Sequence, residues 1–427
     1  MKTTTKYVCS NCEYETPKWI GKCPSCNSWN SFQEEQLLPK AQQKSVKGLA
    51  KQTSSISFEA SNEQRYQTEI SELDNVLGGG VITDSLILLS GEPGIGKSTL
   101  TLQICDKIAA LQKKVLYISG EESVAQIGNR ANRLNISSEL ISIINENYLE
   151  NILATLEKES PDFIVIDSIQ VMTSQNSSSM SGSISQIRQV TEKLMEFAKK
   201  NRKAMLIIGH ITKEGNLAGP KTLEHLVDVV IHLEGERYQN LRILRGLKNR
   251  FGPTSEIGIF EMAQTGLVEV KNPSAKILEE RPKDSIGSAL SITIEGNRPF
   301  IIEIQALTNP TVFGYPKRTA SGFDVNRLNL LIAVIQKYTG INLSNQDVYV
   351  NVIGGLKIKD PAVDLAVVSA IISSYNKTPL PMDAVYFGEV GLSGEIRKVT
   401  QAEKRQKEVE KLGLTSKIHQ SIKQFNL

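Results

Sequence analysis

Residues 85–99 read SLILLSGEPGIGKST. Residues 85–90 form a short apolar run, which predicts a buried strand. Gly91-Glu92-Pro93-Gly94-Ile95-Gly96-Lys97-Ser98 then matches GxxxxGK[ST], and residues 97–110 carry the pattern of a helix. A strand, a glycine-rich turn and a helix in that order are the setting this motif requires. Its glycines let backbone N–H groups close around phosphate oxygens, and the helix N-terminus adds partial positive charge. Lys97 is thereby placed to reach the β- and γ-phosphates of ATP, the Ser98 hydroxyl to ligate Mg²⁺, and Thr99 to contact a phosphate. A chance glycine-rich turn is the plainer reading, and the Lys-Ser ending with correct flanks argues against it.

Working outward, residues 115–119, 163–167 and 205–210 are further short apolar runs. Helical stretches such as 187–200 separate them, which predicts a parallel sheet in an α/β domain. Asp167 ends one of these runs and is the expected Mg²⁺-associated acid, although a lone strand-end Asp is more often a turn former. Gly120-Glu121-Glu122 follows another run. Glu121 is the first choice for the base that activates water and Glu122 the fallback, against the reading of both as solvated loop charges.

Two loops follow strands of the same sheet. Residues 172–185 hold seven serines and predict a mobile segment; residues 212–222 carry Lys213 and Lys221. Ligands bind at such carboxyl-end loops. In a ring these loops would line the centre and hold a nucleic-acid backbone, and otherwise they are ordinary surface loops. Lys248-Asn249-Arg250-Phe251-Gly252 closes the domain. Its cations are either solvated charge or a finger presented to a neighbouring subunit's γ-phosphate.

The chain has 427 residues, a net charge of +3 and five cysteines. The composition is that of an ordered globular protein, and the small net charge neither implies nor excludes nucleic acid. No apolar run approaches the roughly 18 residues that span a bilayer. The first residues lack a secretory signal, so a cytoplasmic protein without a membrane partner is expected. Four of the cysteines form two CxxC pairs, Cys9/Cys12 and Cys23/Cys26, the pattern of a closed structural Zn²⁺ site. Disulfides or redox dithiols are the alternatives, disfavoured in a reducing compartment. The expected organisation is a zinc finger over residues 1–32, a polar linker over 33–57, an α/β ATPase domain over 58–270 and an α+β domain over 271–427.

The order of these pieces, with GEPGIGKST, YISGEES, GHITKEG, KNRFG, KDPAVDLA and FGEVGLSGEIRKV, resembles the RadA (Sms) family of bacterial DNA repair proteins over nearly the whole chain. The resemblance implies a RecA-like P-loop core, a four-cysteine zinc ribbon and a C-terminal domain similar to the Lon peptidase domain. It implies a homo-hexameric ring that binds single-stranded and branched DNA. Such a ring would act with RecA as an ATP-driven motor in recombination and repair. Lys97, Glu121 and Asp167 then fall on the ATPase positions. Lys248 and Arg250 fall on a motif that senses nucleotide and DNA across a subunit boundary, and His210, Thr212 and Lys213 on one that couples phosphate to DNA loops. In the Lon-like part, Ala362 stands where the serine nucleophile would be and Glu403 near the lysine position. No peptidase activity is therefore expected. Lys357, Lys359 and Arg318 are candidate phosphate contacts, with solvated surface charge as the commoner explanation. The competing functions are a nucleotide-switched interaction protein without motor activity and, less favoured, an ATP-gated protease.

Overall fold

The computed structural model describes residues 4–9, 14–37, 64–175, 183–210, 223–235, 241–312, 314–417 and 421–424. Among these, nine strands form the main sheet. In chain order they are β1 (Leu86–Gly91), β2 (Val115–Ser119), β3 (Ile141–Asn145), β4 (Phe163–Asp167) and β5 (Ala204–His210). There follow β6 (Val229–Glu234), β7 (Leu241–Asn249), β8 (Ile257–Ala263) and β9 (Gly266–Glu269). Their spatial order is β9-β8-β7-β6-β1-β5-β4-β2-β3. The six strands from β6 to β3 are mutually parallel, and β7, β8 and β9 continue the sheet antiparallel.

The apolar runs are continuous because both faces of the parallel strands are covered. On β1, Ile87 and Leu89 pack with Leu100, Ile104 and Ile108 of the helix Lys97–Ala110. Leu86 and Leu88 face the other way, against Leu156 and Leu194 of the helices Leu149–Glu159 and Ile184–Asn201. Such two-sided burial points every parallel strand's carboxyl end toward one edge of the domain, where a crevice forms.

The C-terminal part builds a second sheet. Its strands are β10 (Ser288–Glu295), β11 (Arg298–Pro310), β12 (Arg318–Ser321), β13 (Gln346–Val352), β14 (Ala384–Tyr386) and β15 (Thr415–Lys417), in the order β12-β13-β11-β10-β14-β15. The helix Asp364–Asn376 is buried along nearly its whole length. The change of pattern near residue 270 does not interrupt the core. Ile243, Ile257 and Ile259 from β7 and β8 pack in one apolar cluster with Phe300, Ile302 and Leu328. Arg298 reaches back to Glu72 at 2.6 Å. Arg245 on β7 bonds Glu234 at 3.0 Å and Glu295 on β10 at 2.6 Å.

The zinc-ribbon segment pairs Thr4–Cys9 antiparallel with both Glu15–Thr16 and Phe32–Leu37. The ribbon thus runs to Leu37, past the boundary expected at residue 32. Residues 33–36 are all Gln or Glu, so no apolar alternation marks a strand that is held by backbone pairing. The rest of the expected linker falls within residues 38–63, outside the described residues.

The expected serine loop also starts later than its composition suggested. Met172 is fully buried, Ser174 Oγ donates to Glu150 Oε1 at 2.6 Å, and Ser183 caps the helix Ile184–Asn201. Residues 176–182 lie outside the described residues.

Candidate nucleotide cleft and metal centre

The cleft lies at the carboxyl ends of β1, β2 and β4 and is lined by Pro93, Lys97, Ser98, Glu121, Glu122 and Asp167, among others. Gly94 and Gly96 sit at φ +79° and +117°, which side chains rarely adopt, and a β-carbon on Gly96 would lie 2.6 Å from Met262 Cε. These two positions allow the loop to curl over the start of the helix Lys97–Ala110. Lys97 is 3% exposed and its Nζ donates to the carbonyls of Gly91 and Glu92, each at 2.9 Å. Burial lowers its pKa to about 8, opposed by the carboxylates of Asp167, Glu121 and Glu92. A buried cation among carboxylates, beside a curled loop at a helix N-terminus, fits a triphosphate with its metal. Lys97, the loop N–H groups and Thr99 would hold the phosphates, while Ser98 and Asp167 would hold Mg²⁺. When bound, Mg²⁺ supplies charge neutralisation at the phosphate oxygens.

Two hydroxyls that the motifs do not reveal hold the carboxylates in place. Tyr117 Oη on β2 donates to Asp167 Oδ2 on β4, and Ser168 Oγ, next in chain to Asp167, donates to Glu121 Oε1 at 2.5 Å. β2 and β4 are neighbours in register, Ser119 opposite Asp167. Each carboxylate is thus gripped by a hydroxyl from the other's segment. Tyr117 is wholly buried, and burial followed by the Asp167 charge pushes its pKa well up, so it remains a donor. The only trace of this pairing in the sequence is a hydroxyl within one strand and another just past the next, too common a feature to read.

Glu121 and Glu122 are separated by their partners. Both Glu122 oxygens accept from Arg130, at 2.6 and 2.7 Å, while Ser119 Oγ accepts from the Glu122 N–H. Glu122 is therefore tied back to the helix Val124–Arg133, with both of its oxygens engaged. Glu121 faces the Lys97 side of the cleft and contributes to the field on Lys97.

Lys248 and Arg250 are not brought to this cleft. Asn249 pairs with Val229, which pairs with Ile87, so the motif lies at the amino end of β1. That is four residues, roughly 13 Å, of strand below Gly91. There Lys248 Nζ donates to the carbonyls of Glu224 at 2.6 Å and Val227 at 2.8 Å. Burial lowers its pKa, helped by nearby Arg250. Arg250 bonds buried Asp228 at 3.1 Å, which also accepts from Lys199 at 2.7 Å, and its side chain remains 54% exposed. The backbone of His210 ends β5 opposite Gly91. Thr212, Lys213 and Lys221 lie outside the described residues.

In the C-terminal sheet Ala362 is fully buried and Glu403 exposed. Arg405, 1% exposed, closes this region: it donates to Asp360 at 2.6 Å, to Ile292 O at 2.6 Å and to Thr400 O at 3.2 Å. An apolar methyl and a neutralised ion pair offer neither nucleophile nor base. Arg318 donates to Gln346 O and, at 2.7 Å, to Leu343 O. Lys357 and Lys359 are exposed.

In the ribbon, Cys9, Cys23 and Cys26 bring their sulfurs within 4.8 Å of one another, with Cys9 and Cys26 at 3.7 Å. Four Zn–S bonds of about 2.3 Å in a tetrahedron set sulfurs about 3.8 Å apart, so the spacing fits Zn²⁺. Cys12, the expected fourth ligand, lies outside the described residues.

A family model described as an AAA domain matches residues 52–216, and one described as a rubredoxin metal binding domain matches residues 7–34. The DNA repair protein RadA of Bacillus subtilis (strain 168) is 47% identical over 418 residues, covering 96% of this chain and 91% of the relative. That of Listeria monocytogenes is 48% identical over 416 residues, with 96% and 91% covered. That of Halalkalibacterium halodurans is 46% identical over 417 residues, with the same coverage.

Proposed function

The chain belongs to the RadA family of DNA repair proteins, and on that premise we propose that it is a DNA-dependent ATPase motor that processes and branch-migrates recombination intermediates together with RecA. The observation that carries this reading is the separation of two parts of one machine. The phosphate cleft stands at the carboxyl ends of the parallel strands, and the Lys248/Arg250 motif stands at their amino ends. A chain so built reaches a nucleotide with both parts only by borrowing one from a second copy. A homo-hexameric ring in the cytoplasm is the assembly that satisfies this for every subunit. Single-stranded DNA would then follow the loops after β4 and β5, with Lys213 and Lys221 as phosphate contacts.

In this motor Lys97 meets the γ-phosphate charge and Glu121 takes the proton of the attacking water. Asp167 holds the metal, and exposed Arg250 of one subunit reports to the nucleotide of the next. Buried Ala362 and the Arg405–Asp360 pair favour a scaffold over a peptidase for the C-terminal sheet.

The test measures ATP turnover with and without single-stranded DNA, and extension of a branched substrate with and without RecA. Wild type should be stimulated in both. Lys97→Ala should lose turnover, and Arg250→Ala should keep its fold but lose DNA stimulation. If DNA leaves turnover unchanged and no branch moves, the chain is a nucleotide-switched interaction protein.

A further inference from the structure

The chain has two tryptophans, and both stand on the zinc ribbon, Trp19 54% exposed and Trp29 72% exposed. An indole carries too much apolar surface to be left in water without a use, and two together make a patch. They are together: a β-carbon on Gly21 would meet Trp19 at 3.8 Å and Trp29 at 4.0 Å. The strand-like pairing of Lys22 with Trp29, and the Asn30 N–H donated to Gly21 O at 2.8 Å, hold this short hairpin closed around the Cys23/Cys26 knuckle. A residue without a side chain thus lies between two exposed rings.

Two exposed lysines flank the patch. Lys22 Nζ lies 5.7 Å from the centre of the Trp29 ring, and Lys18 is exposed beside Trp19. From residue 16 to residue 33 the sequence has these two lysines and no Asp or Glu. A zinc–thiolate centre is itself negative, but Cys9 and Cys23 are 1% and 0% exposed and Cys26 is half-buried, whereas Lys18 and Lys22 are exposed.

We infer that Trp19 and Trp29 form a stacking platform for the bases of single-stranded nucleic acid, with Lys18 and Lys22 meeting its phosphates. Unpaired bases offer flat faces to indoles and a polyanionic backbone to cations, whereas a duplex keeps its base faces stacked inside. Lysines beside exposed rings suit flat bases on a polyanion better than a neutral protein surface. The inference rests on the proposal that this chain binds single-stranded DNA, and it adds a contact remote from the ATPase loops.

Because no other tryptophan is present, tryptophan emission from the full-length protein reports on this platform alone. The experiment titrates zinc-loaded protein with an oligothymidylate, reading tryptophan emission and oligonucleotide anisotropy together. Emission should be quenched in step with binding. An abasic oligonucleotide of equal length should bind more weakly and quench little. Trp19→Ala and Trp29→Ala should each weaken binding about fivefold or more, with zinc content retained, and Trp29→Phe should recover part of the loss. Binding without quenching, at wild-type affinity in both alanine variants, would overturn the platform while leaving DNA binding intact. Absence of any binding would overturn both. Emission already shielded from a soluble quencher before DNA is added would show another segment of the chain or a second copy covering the rings, and would also overturn the inference.

Discussion

Ser168 Oγ donates to Glu121 Oε1 across 2.5 Å, so the residue that follows Asp167, the proposed metal acid, orients the carboxylate proposed to activate water. Losing the hydroxyl removes one contact that orients Glu121. Misplacing a reacting group by about 1 Å can cost roughly a hundredfold in rate. Ser168→Ala should therefore lower kcat for ATP by about ten- to a hundredfold with KM within about twofold, since the phosphates are held elsewhere. Steady-state ATPase kinetics check this, and an unchanged kcat would reduce Ser168 to packing.

The two adjacent glutamates should separate cleanly. Glu121→Gln removes the base and should reduce turnover by about 10²- to 10⁴-fold. Glu122→Gln breaks the two-pronged contact with Arg130 and should act on stability, by about 1 kcal/mol for a partly exposed pair, with turnover within a few-fold. Thermal unfolding and turnover measured on both variants decide it. A larger turnover loss in Glu122→Gln would reverse the assignment.

The pKa of Lys97 gives a pH dependence with a definite sign. Burial lowers it from 10.5 to about 8, and phosphate contact favours the charged form. Binding of ATP above that pH must therefore take up a proton. Affinity should be flat below about pH 8 and fall by up to about tenfold per pH unit above it, until near the ordinary lysine value. Equilibrium binding of a fluorescent ATP analogue across this range is the measurement. Lys97→Arg, whose charge persists, should flatten the slope whatever its affinity.

Arg405 is the largest fully buried side chain among the described residues and neutralises Asp360. Arg405→Ala leaves that carboxylate and two carbonyls without their donor in a closed space. It should cost about 3–5 kcal/mol of stability, read by denaturant unfolding. Because Ile243, Ile257 and Ile259 share the C-terminal core, the loss should lower ATPase activity on heating as well.

Zinc removal should act locally. Cys9, Cys23 and Phe32 form a small cluster of their own, apart from the larger cores. Cys23→Ser should abolish zinc by elemental analysis and unfold the ribbon while leaving the main thermal transition in place. A collapse of that transition would show the ribbon to be part of the ATPase core.

The phosphate cleft was legible because its elements are local in the chain. A strand, the glycines at 94 and 96 and the helix Lys97–Ala110 follow one another, and each needs only its neighbours to be recognised. The runs ending at Ser119 and Asp167 were legible for a second reason: burial on both faces makes them continuously apolar. β3 escaped notice because, as an edge strand, it is only half-buried along its length. β8 and β9 escaped because these short antiparallel strands carry no motif of their own. The polar strand Phe32–Leu37 is held by backbone pairing that side chains do not encode.

By itself, then, the sequence marked Lys97 as the candidate phosphate lysine, paired the cysteines at zinc-ligand spacing and put alanine at 362. These are properties of residue type and close spacing. Tertiary structure alone separated the partners of the two glutamates that line the cleft, since Arg130 claims Glu122 from eight residues away and Ser168 claims Glu121 from forty-seven. It also decided that Lys248 and Arg250 stand at the opposite end of the sheet from Lys97. Strand direction and register set that distance, and they follow from how the whole sheet is ordered.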